Sequence, residues 1–281
     1  MTELRERMTR DMTVRGFAPA THRAYIRAVR QLAKHYRRAP DTLTADEVQT
    51  YLAHMIEVEH LSWSTCAVAA NACRFLYHVT LGLDGIDFVV PSPRQPQRLP
   101  EILSCEEVAR LLEATVCPKH RLAFETIYAC GLRVSEATHL RVRDVDRDRM
   151  TVRIEQGKGR KDRYVPLSKR LLRRLGQFWE NDPPRHWVFE GKSPDRCLDL
   201  TSLQKAYTTA KLRSGIRKHG GVHALRHAYA THMIESGVDV LTVQRLLGHR
   251  SVSTTMRYFH LSQARAATVR SPLDLLDGLR S

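Results

Sequence analysis

Apolar residues in the first part of the chain recur at the spacing of α-helices. Three runs, at about 18–37, 44–59 and 62–80, place an apolar side chain at every third or fourth position. The second run opens with a capping-box pattern, in which Thr44 precedes Glu47 by three residues. The pattern predicts a domain that is wholly helical.

Prolines end this pattern beyond residue 83. Four prolines lie between residues 91 and 100, which is too many for a helix or a central strand. We therefore expect one domain over residues 1–83, an extended linker over residues 84–101, and a second domain over residues 102–281.

The second domain combines helical and strand patterns. Ser104 and Glu107 form another capping box before a helix, and a further helix ends at Gly131, a residue suited to a left-handed cap. Residues 150–154 alternate between apolar and polar side chains, and residues 163–167 can pair with them across a polar turn. The predicted fold class is mainly α with a small β-hairpin or sheet, that is, α+β.

The last part of the chain carries three more helical patterns. They cover residues 223–235, then residues 240–247, and then a stretch that starts near residues 251–253 and includes Tyr258. A glycine closes the second of these helices, so we expect His249 to project from its end.

The helix at 223–235 carries two histidines and an arginine in its first turns. His223 and Arg226 lie three residues apart, roughly 60° around the helix axis, so we expect them to address one small target. We expect His227 to point elsewhere. The two histidines have the spacing of a zinc-protease helix, but Ala224 occupies the position where that motif needs a glutamate. A metalloprotease is therefore excluded, and for each histidine by itself a purely structural role stays open.

The chain is strongly basic. It has 45 lysines and arginines against 30 aspartates and glutamates, which gives a formal charge of +15. This charge favours a nucleic-acid partner over a membrane surface, because no apolar stretch of about 20 residues and no signal-type segment is present. We expect a soluble, cytoplasmic, DNA-associated protein. Six cysteines without a C-x-x-C motif indicate reduced, mostly buried side chains, and they argue against disulfides and structural zinc.

One face of the first predicted helix is a row of cations at three- and four-residue steps, formed by Arg23, Arg27, Arg30, Lys34 and Arg37. No acids are interleaved at i+4, so these like charges repel unless an anion neutralises them. The row is either a solvated face or a contact surface for a phosphate backbone, and we expect the second. Lys158, on the predicted turn, is either an ordinary turn lysine or one that can reach a leaving oxygen.

Five side-chain groups suggest the chemistry. Arg133 and Arg226 supply guanidinium groups that can hold a phosphate, two imidazoles can move protons or donate hydrogen bonds, and Tyr258 supplies a phenol that can attack. Together they indicate phosphoryl transfer through a protein-linked ester. Such a reaction requires neither a metal nor a nucleotide.

Several short motifs occur in a fixed order. They are GLRVSE at 131–136, GKG at 157–159 with YVPL at 164–167, HALRHAYAT at 223–231, LLGH at 246–249 and TTMRY at 254–258. In this order they resemble the tyrosine recombinases of the phage-integrase and Xer type. The resemblance covers nearly the whole chain, and it implies an N-terminal helical core-binding (SAM-like) domain followed by a catalytic domain. The segment 220–222 departs from the family pattern, which affects only the entry to a helix.

By this resemblance the catalytic pocket has six residues, and the carboxylate of Glu136 braces them. The six are Arg133, Lys158, His223, Arg226, His249 and Tyr258, with Tyr258 as the nucleophile. The two arginines and His249 would stabilise the pentavalent phosphate. His223 would accept the tyrosine proton or steady that oxygen, and Lys158 would protonate the departing 5′-hydroxyl.

The implied activity is site-specific DNA recombination. Tyr258 would cut a strand through a 3′-phosphotyrosine link, and a partner strand would reverse the step without a metal, ATP or another cofactor. The implied partners are double-stranded DNA sites and further copies of the chain in a tetrameric synapse, with a monomer expected off DNA. Two alternatives stay open: a type IB topoisomerase that relaxes supercoils, and a non-catalytic DNA-binding accessory protein. The short chain argues against the first and the complete residue set argues against the second.

The sequence beyond the nucleophile predicts a short tail helix. Ser271 and Pro272 suit its first positions, and leucines follow at 273, 276 and 279. A helix this short is unstable alone, so its leucines need a groove. They either cover their own catalytic domain or dock on the next subunit, and we expect docking on the next subunit.

Overall fold

The computed structural model describes residues 3–83, 87–89, 101–155, 162–181, 183–193, 195–249 and 251–261. The chain separates into two compact units, Met1–Gln97 and Arg98–Ser281. Most described residues are helical, and three short strands form one antiparallel sheet. The predicted α+β class with a small sheet is therefore confirmed. Among the described residues, no helix is both long enough and apolar enough to cross a membrane.

The described part of the first unit consists of helices. They are α1 (Glu3–Val14), α2 (Pro19–Tyr36), a 3-10 turn (Pro40–Thr42), α3 (Ala45–Glu57), α4 (Trp63–Arg74) and a π-helical stretch (Phe75–Thr80) that continues α4. The three predicted helices are confirmed. Helix α1 was not predicted, because its only buried side chains are those of Met8 and Met12, too few to set a helical period.

The apolar stripes of these helices meet in one core. Leu32 of α2, Leu52 of α3 and Leu76 in the π-helical stretch are each fully buried there. The predicted capping box at the start of α3 is present, since the Thr44 hydroxyl accepts from the Glu47 N–H at 3.2 Å and Glu47 accepts from the Thr44 N–H at 2.8 Å. Local capping and tertiary packing therefore favour the same helices.

Residues 87–89 belong to the predicted linker, and they pack on the first unit. Phe88 is fully buried, with its ring centroid 5.3 Å from that of Tyr77. The Gln49 side chain accepts from the Val89 N–H at 3.0 Å and donates to the Val89 carbonyl at 2.8 Å. Residues 84–86 and 90–100, the rest of the predicted linker apart from residue 101, lie outside the described residues.

The second unit combines helices with a three-stranded sheet. Its helices are α5 (Cys105–Glu113), α6 (Pro118–Cys130), α7 (Val134–Thr138), α8 (Lys169–Asn181), α9 (Leu200–Arg213), α10 (His223–Glu235), α11 (Val240–Leu247) and α12 (Val252–Leu261), with a 3-10 turn at Val142–Asp144. Its strands are β1 (Val145–Asp146), β2 (Thr151–Ile154) and β3 (Arg163–Pro166), in the order β1-β2-β3. The predicted hairpin is confirmed, with Thr151 opposite Pro166 and Ile154 opposite Arg163. Strand β1 and helices α7, α8 and α9 were not predicted.

Helices α6 and α10 lie against each other inside this unit. Phe124 and Ile127 of α6 share a buried cluster with Leu225 and Ala228 of α10. This packing fixes the start of α10, and so the place of the histidines and the arginine in its first turns. Of the six free cysteines, Cys66, Cys73 and Cys130 are buried, whereas Cys105 and Cys117 are exposed and Cys197 is intermediate. The expected burial therefore holds for half of them.

Gly131 ends α6, and a side chain at this position would be unfavourable for two reasons. Its φ of 61° and ψ of 33° are left-handed, as predicted for this cap. A Cβ atom at this position would lie 2.5 Å from ring carbons of Tyr229 and 3.1 Å from a methyl group of Leu247. Glycine is required here both by the turn and by the approach of α10 and α11.

We expect Gly131→Ala to lower the free energy of unfolding by about 3 kcal/mol, through left-handed strain of about 1–2 kcal/mol and overpacking of about 1–3 kcal/mol. Gly215→Ala is the matched control, because Gly215 also has a positive φ, of 68°, but has no atom within 4 Å of the added carbon. It should cost only the left-handed strain of about 1–2 kcal/mol. Urea denaturation measures both, and equal losses would show that the Tyr229 ring gives way.

Candidate active site

The candidate residues that the structure describes lie at or near the ends of three helices of the second unit and within a fourth helix. Arg133 lies at the N-cap of α7, His223 and Arg226 lie in the first turn of α10, and His249 follows α11. Tyr258 lies on the second turn of α12. The structure brings these residues together around one carboxylate and one phenol, whereas Lys158 lies outside the described residues.

The carboxylate belongs to Glu136, and three arginines surround it. Oε1 accepts from Nη1 of Arg133 at 2.6 Å, and both oxygens accept from the fork of Arg163 at 2.9 and 2.7 Å. The Arg133 N–H donates to Oε2 at 2.7 Å, and Nη1 of Arg226 lies 3.6 Å from the same oxygen. The Glu136 side chain is 8% exposed, so this ion network is nearly buried.

Glu136 stays ionised despite its burial. Burial alone would raise its pKa, but the hydrogen bonds and charge of Arg163, followed by the bonds from Arg133, lower the pKa to about 2. Three guanidinium groups against one carboxylate leave an excess of two positive charges in this cluster. A site with such an excess and low exposure to water attracts an anion.

Arg226 is held by the carbonyl ends of two helices. Its side chain is 1% exposed, and it donates from Nη1 to the Gly131 carbonyl at 2.8 Å and from Nη2 to the Leu247 carbonyl at 2.6 Å. These carbonyls close α6 and α11, where helices leave acceptors without partners. Burial and the charge of Arg133 lower the Arg226 pKa to about 10, so it is charged at neutral pH. Its Nε is buried and has no hydrogen-bond partner among the described residues.

Arg163 was not among the predicted site residues. It is the first residue of β3, and its side chain is 9% exposed. Besides its hydrogen bonds to Glu136, it donates from Nε to the Leu246 carbonyl at 2.8 Å. Arg163 therefore joins the hairpin, α7 and the end of α11. The sequence did hold a signal, because alternation along β3 places Arg163 on the same face as the buried Val165.

Tyr258 is buried between two imidazoles. Its relative exposure is 4%, and its Oη lies 2.7 Å from Nδ1 of His227. The His249 ring stacks on the Tyr258 ring with centroids 6.3 Å apart and planes 19° apart, and Nδ1 of His249 is bonded to the Thr255 hydroxyl at 2.9 Å. Burial raises the pKa of Tyr258, so the phenol is protonated at neutral pH.

The expectation that His227 points away from the site is wrong. A residue at i+4 is about 40° around a helix from residue i, closer than the 60° of a residue at i+3. His227 therefore shares the face of His223, and their ring centroids are 4.7 Å apart with planes at 84°. The contact with the tyrosine hydroxyl, which the family resemblance assigned to His223, is made by His227.

The three histidines of the site are neutral at physiological pH. Burial lowers the pKa of His227 to about 4, with further lowering by His223 and Arg226. Burial and then Arg226 lower the pKa of His249 to about 4, and the pKa of His223 moves in the same direction for the same reasons. Each neutral ring has one donor and one acceptor nitrogen.

The five cations predicted to contact DNA lie on α2 and at its C-cap. Arg23, Arg27, Arg30, Lys34 and Arg37 are all exposed. None of them forms an ion pair with an acid in the part of the chain that the structure describes. Their contact with a phosphate backbone stays a prediction. For metals, no cluster of three or more His, Cys, Asp or Glu with suitable geometry is found among the described residues.

We expect Arg163→Met, which keeps the stem and removes the charged fork, to lower the free energy of unfolding by about 2–3 kcal/mol, since Glu136 loses two charged hydrogen bonds in a buried place. Arg174→Met is the matched control, because Arg174 also forms an ion pair, with Glu125. Its side chain, however, is 43% exposed. That loss should be about 0–1 kcal/mol. Urea denaturation compares them, and a smaller loss for Arg163 than for Arg174 contradicts the account of Glu136.

Two family models and a named relative match most of this chain. The model described as "Phage integrase family" matches residues 101–265, and the model "Phage integrase, N-terminal SAM-like domain" matches residues 4–86. Tyrosine recombinase XerD of Bifidobacterium longum is 33% identical over 276 residues, which cover 88% of this chain and 89% of that protein.

Among solved structures, the XerA recombinase is 26% identical with a TM-score of 0.54, covering 99% of this chain and 98% of its own. A lambda integrase tetramer bound to a Holliday junction shares the fold with a TM-score of 0.70 at 17% identity, covering 90% of this chain and 75% of its own. On the strength of the family models, the 33% identical relative and the shared fold, the chain belongs to the phage integrase family of tyrosine recombinases.

Proposed function

We propose that this recombinase cuts and rejoins DNA strands with Tyr258 as its nucleophile. The observation that carries the proposal is the Tyr258 hydroxyl, buried beside a neutral imidazole and within the same site as a cluster with excess positive charge. A phenol in that place can attack an anionic phosphodiester that the cations hold. Its product is a 3′-phosphotyrosine.

The arginines have separate parts in this proposal. Attack on phosphorus adds negative charge to the nonbridging oxygens, and Arg133 and Arg226 meet that charge. The Arg133 side chain is 24% exposed, so a ligand can reach it. Arg226 is anchored by backbone carbonyls, and its Nε–H, which has no partner among the described residues, is a donor that a phosphate oxygen would satisfy.

Proton and hydrogen-bond donors complete the site. His249 is proposed to donate to a nonbridging oxygen through Nε2, because its Nδ1 is already hydrogen-bonded to Thr255 and Nε2 has no hydrogen bond to another described residue. Lys158 is proposed, from the family resemblance, to protonate the departing 5′-oxygen. The phosphotyrosine ester conserves the energy of the bond it replaces, so a 5′-hydroxyl can reverse the step without ATP.

Recombination joins two duplexes, so several copies must act together. The lambda integrase tetramer on a Holliday junction supports a synapse of four copies of this chain on two DNA sites. The tail helix proposed to connect neighbours, at residues 271–281, lies outside the described residues. The proposed place of action is the cytoplasm, on DNA.

We expect the wild-type chain to form a covalent adduct with DNA in the presence of EDTA, and Tyr258→Phe to abolish it while leaving DNA affinity nearly unchanged. The change deletes one nucleophilic oxygen and no cation. A pool of nicked duplexes with randomised sequence supplies the substrate, and strands that stay attached under denaturing conditions are sequenced to recover the preferred site.

Tyr229→Phe is the matched control for this experiment. Tyr229 lies on α10 three residues from Arg226, but its ring packs over Gly131 in a buried cluster. It should form the adduct at the wild-type rate. An adduct that persists in Tyr258→Phe and is lost in Tyr229→Phe would refute the assignment, and an adduct that needs added magnesium or zinc would refute a cation site built from arginines.

The exposed row on α2 should govern binding strength. Replacement of Arg23, Arg27, Arg30, Lys34 and Arg37 by glutamine should weaken binding to all sequences, and it should flatten the slope of log affinity against log salt by about 0.9 for each lost phosphate contact. A single Arg38→Gln change is the control, because Arg38 is already paired with Glu47 at 2.6 Å. If the five changes leave the slope unaltered, these side chains form a solvated face and do not contact the phosphate backbone.

A further inference from the structure

The hydroxyl of Tyr258 has one hydrogen-bond partner among the described residues. That partner is Nδ1 of His227, at 2.7 Å. Both groups are held in place, because Tyr258 belongs to a buried cluster formed with α10 and α11, and the His227 ring lies against the edge of His223. The contact joins two helices, so it follows from the fold and not from local sequence.

The protonation states of this pair suit a proton transfer. The Tyr258 hydroxyl carries its proton at neutral pH, because burial raises its pKa. His227 is neutral, because burial and the nearby His223 and Arg226 lower its pKa to about 4. The nucleophile therefore needs a base, and the nitrogen that touches it has a free lone pair when the ring proton resides on Nε2.

The other groups near the phenol are less well placed. His223 lies beside His227 at 4.7 Å between ring centroids, but it is not the group bonded to the hydroxyl. His249 faces the flat side of the Tyr258 ring, and its Nδ1 is engaged by Thr255. Arg226 faces Gly131 and Leu247 and is charged, so it cannot accept a proton.

We propose that His227 accepts the hydroxyl proton of Tyr258 as its oxygen attacks DNA, a role that rests on the proposed function above. The proton moves from Oη to Nδ1 while the Oη–P bond forms and the P–O5′ bond breaks. The departing O5′ keeps the bonding electron pair and takes a proton from a general acid, for which Lys158 is proposed. In rejoining, a 5′-hydroxyl gives its proton to the base form of that general acid while its oxygen attacks phosphorus. The Oη–P bond breaks, and Oη of Tyr258 takes its proton back from Nδ1 of His227.

The surroundings of His227 favour a short-lived imidazolium. A charged ring is disfavoured here, first by burial and then by the neighbouring His223 and Arg226, so the proton returns readily in the reverse step. A bound phosphodiester brings negative charge to the same place and offsets part of that repulsion. A base that returns the proton readily suits reversible cutting and rejoining.

Two substitutions separate proton acceptance from hydrogen bonding. His227→Ala removes both, whereas His227→Asn places an amide oxygen near the position of Nδ1 and keeps an acceptor that cannot take the proton. The full-length variants are assayed on the nicked duplex that the wild-type chain selects from the randomised pool. His232→Asn is the control, because His232 lies on the same helix and bonds to Tyr128 through its own Nδ1 at 2.7 Å.

We expect both His227 variants to cut at least about 100-fold more slowly than wild type, with unchanged DNA affinity. Replacing Tyr258 by a ring-fluorinated tyrosine, whose hydroxyl is more acidic, should restore much of the rate of His227→Asn but not that of His223→Asn. A rate for His227→Asn within a few-fold of wild type would overturn the proposal, and so would a defect that the fluorinated tyrosine leaves unchanged.

A measurement without DNA keeps the proposal separate from the proposed function. Nitrogen NMR of the free protein with labelled histidine should show His227 with its proton on Nε2 and with an Nδ1 resonance that shifts in Tyr258→Phe. A proton found on Nδ1 would overturn the proposal even if the chain cuts DNA. By contrast, the absence of any wild-type adduct, together with the expected tautomer, would overturn the proposed function.

Discussion

A single buried carboxylate, that of Glu136, is the constraint on which the candidate active site depends. Three guanidinium groups converge on it, and without a negative charge they would repel one another in a place with little water. Each arginine comes from a different element, so pairing the charges also positions the elements. Arg163 extends the network further, because its Nε holds the carbonyl of Leu246 at the end of α11.

The ends of two helices also hold the site in place. Arg226 satisfies carbonyls that α6 and α11 leave without partners, and the left-handed cap at Gly131 brings one of those carbonyls into reach. A buried cation fixed by backbone acceptors needs no rearrangement when an anion arrives. The same burial lowers the pKa of His227, so it remains neutral beside Tyr258.

The features that could be predicted from the sequence are those set by residues close together in the chain. The capping box at Thr44, the cap at Gly131 and the hairpin pairing were predicted because each is set by residues that lie close together in the sequence. The hydrogen bond between His227 and Tyr258 could not be predicted from the sequence, since it joins two residues that lie 31 positions apart on different helices. Two other omissions could have been avoided: the 40° step from i to i+4 places His227 beside His223, and alternation along β3 turns Arg163 inward.

The most direct test of this account is the ionisation of Glu136 in the folded chain. Carbon NMR of glutamate carboxyls, with Glu136→Gln used to assign the resonance, follows its charge from pH 7 down to pH 4 at about half-unit steps. With a pKa of about 2 in place of the usual 4.5, the Glu136 resonance should not titrate anywhere in that range. A midpoint close to 4.5 would mean that the three arginines do not hold this carboxylate, and it would contradict the account.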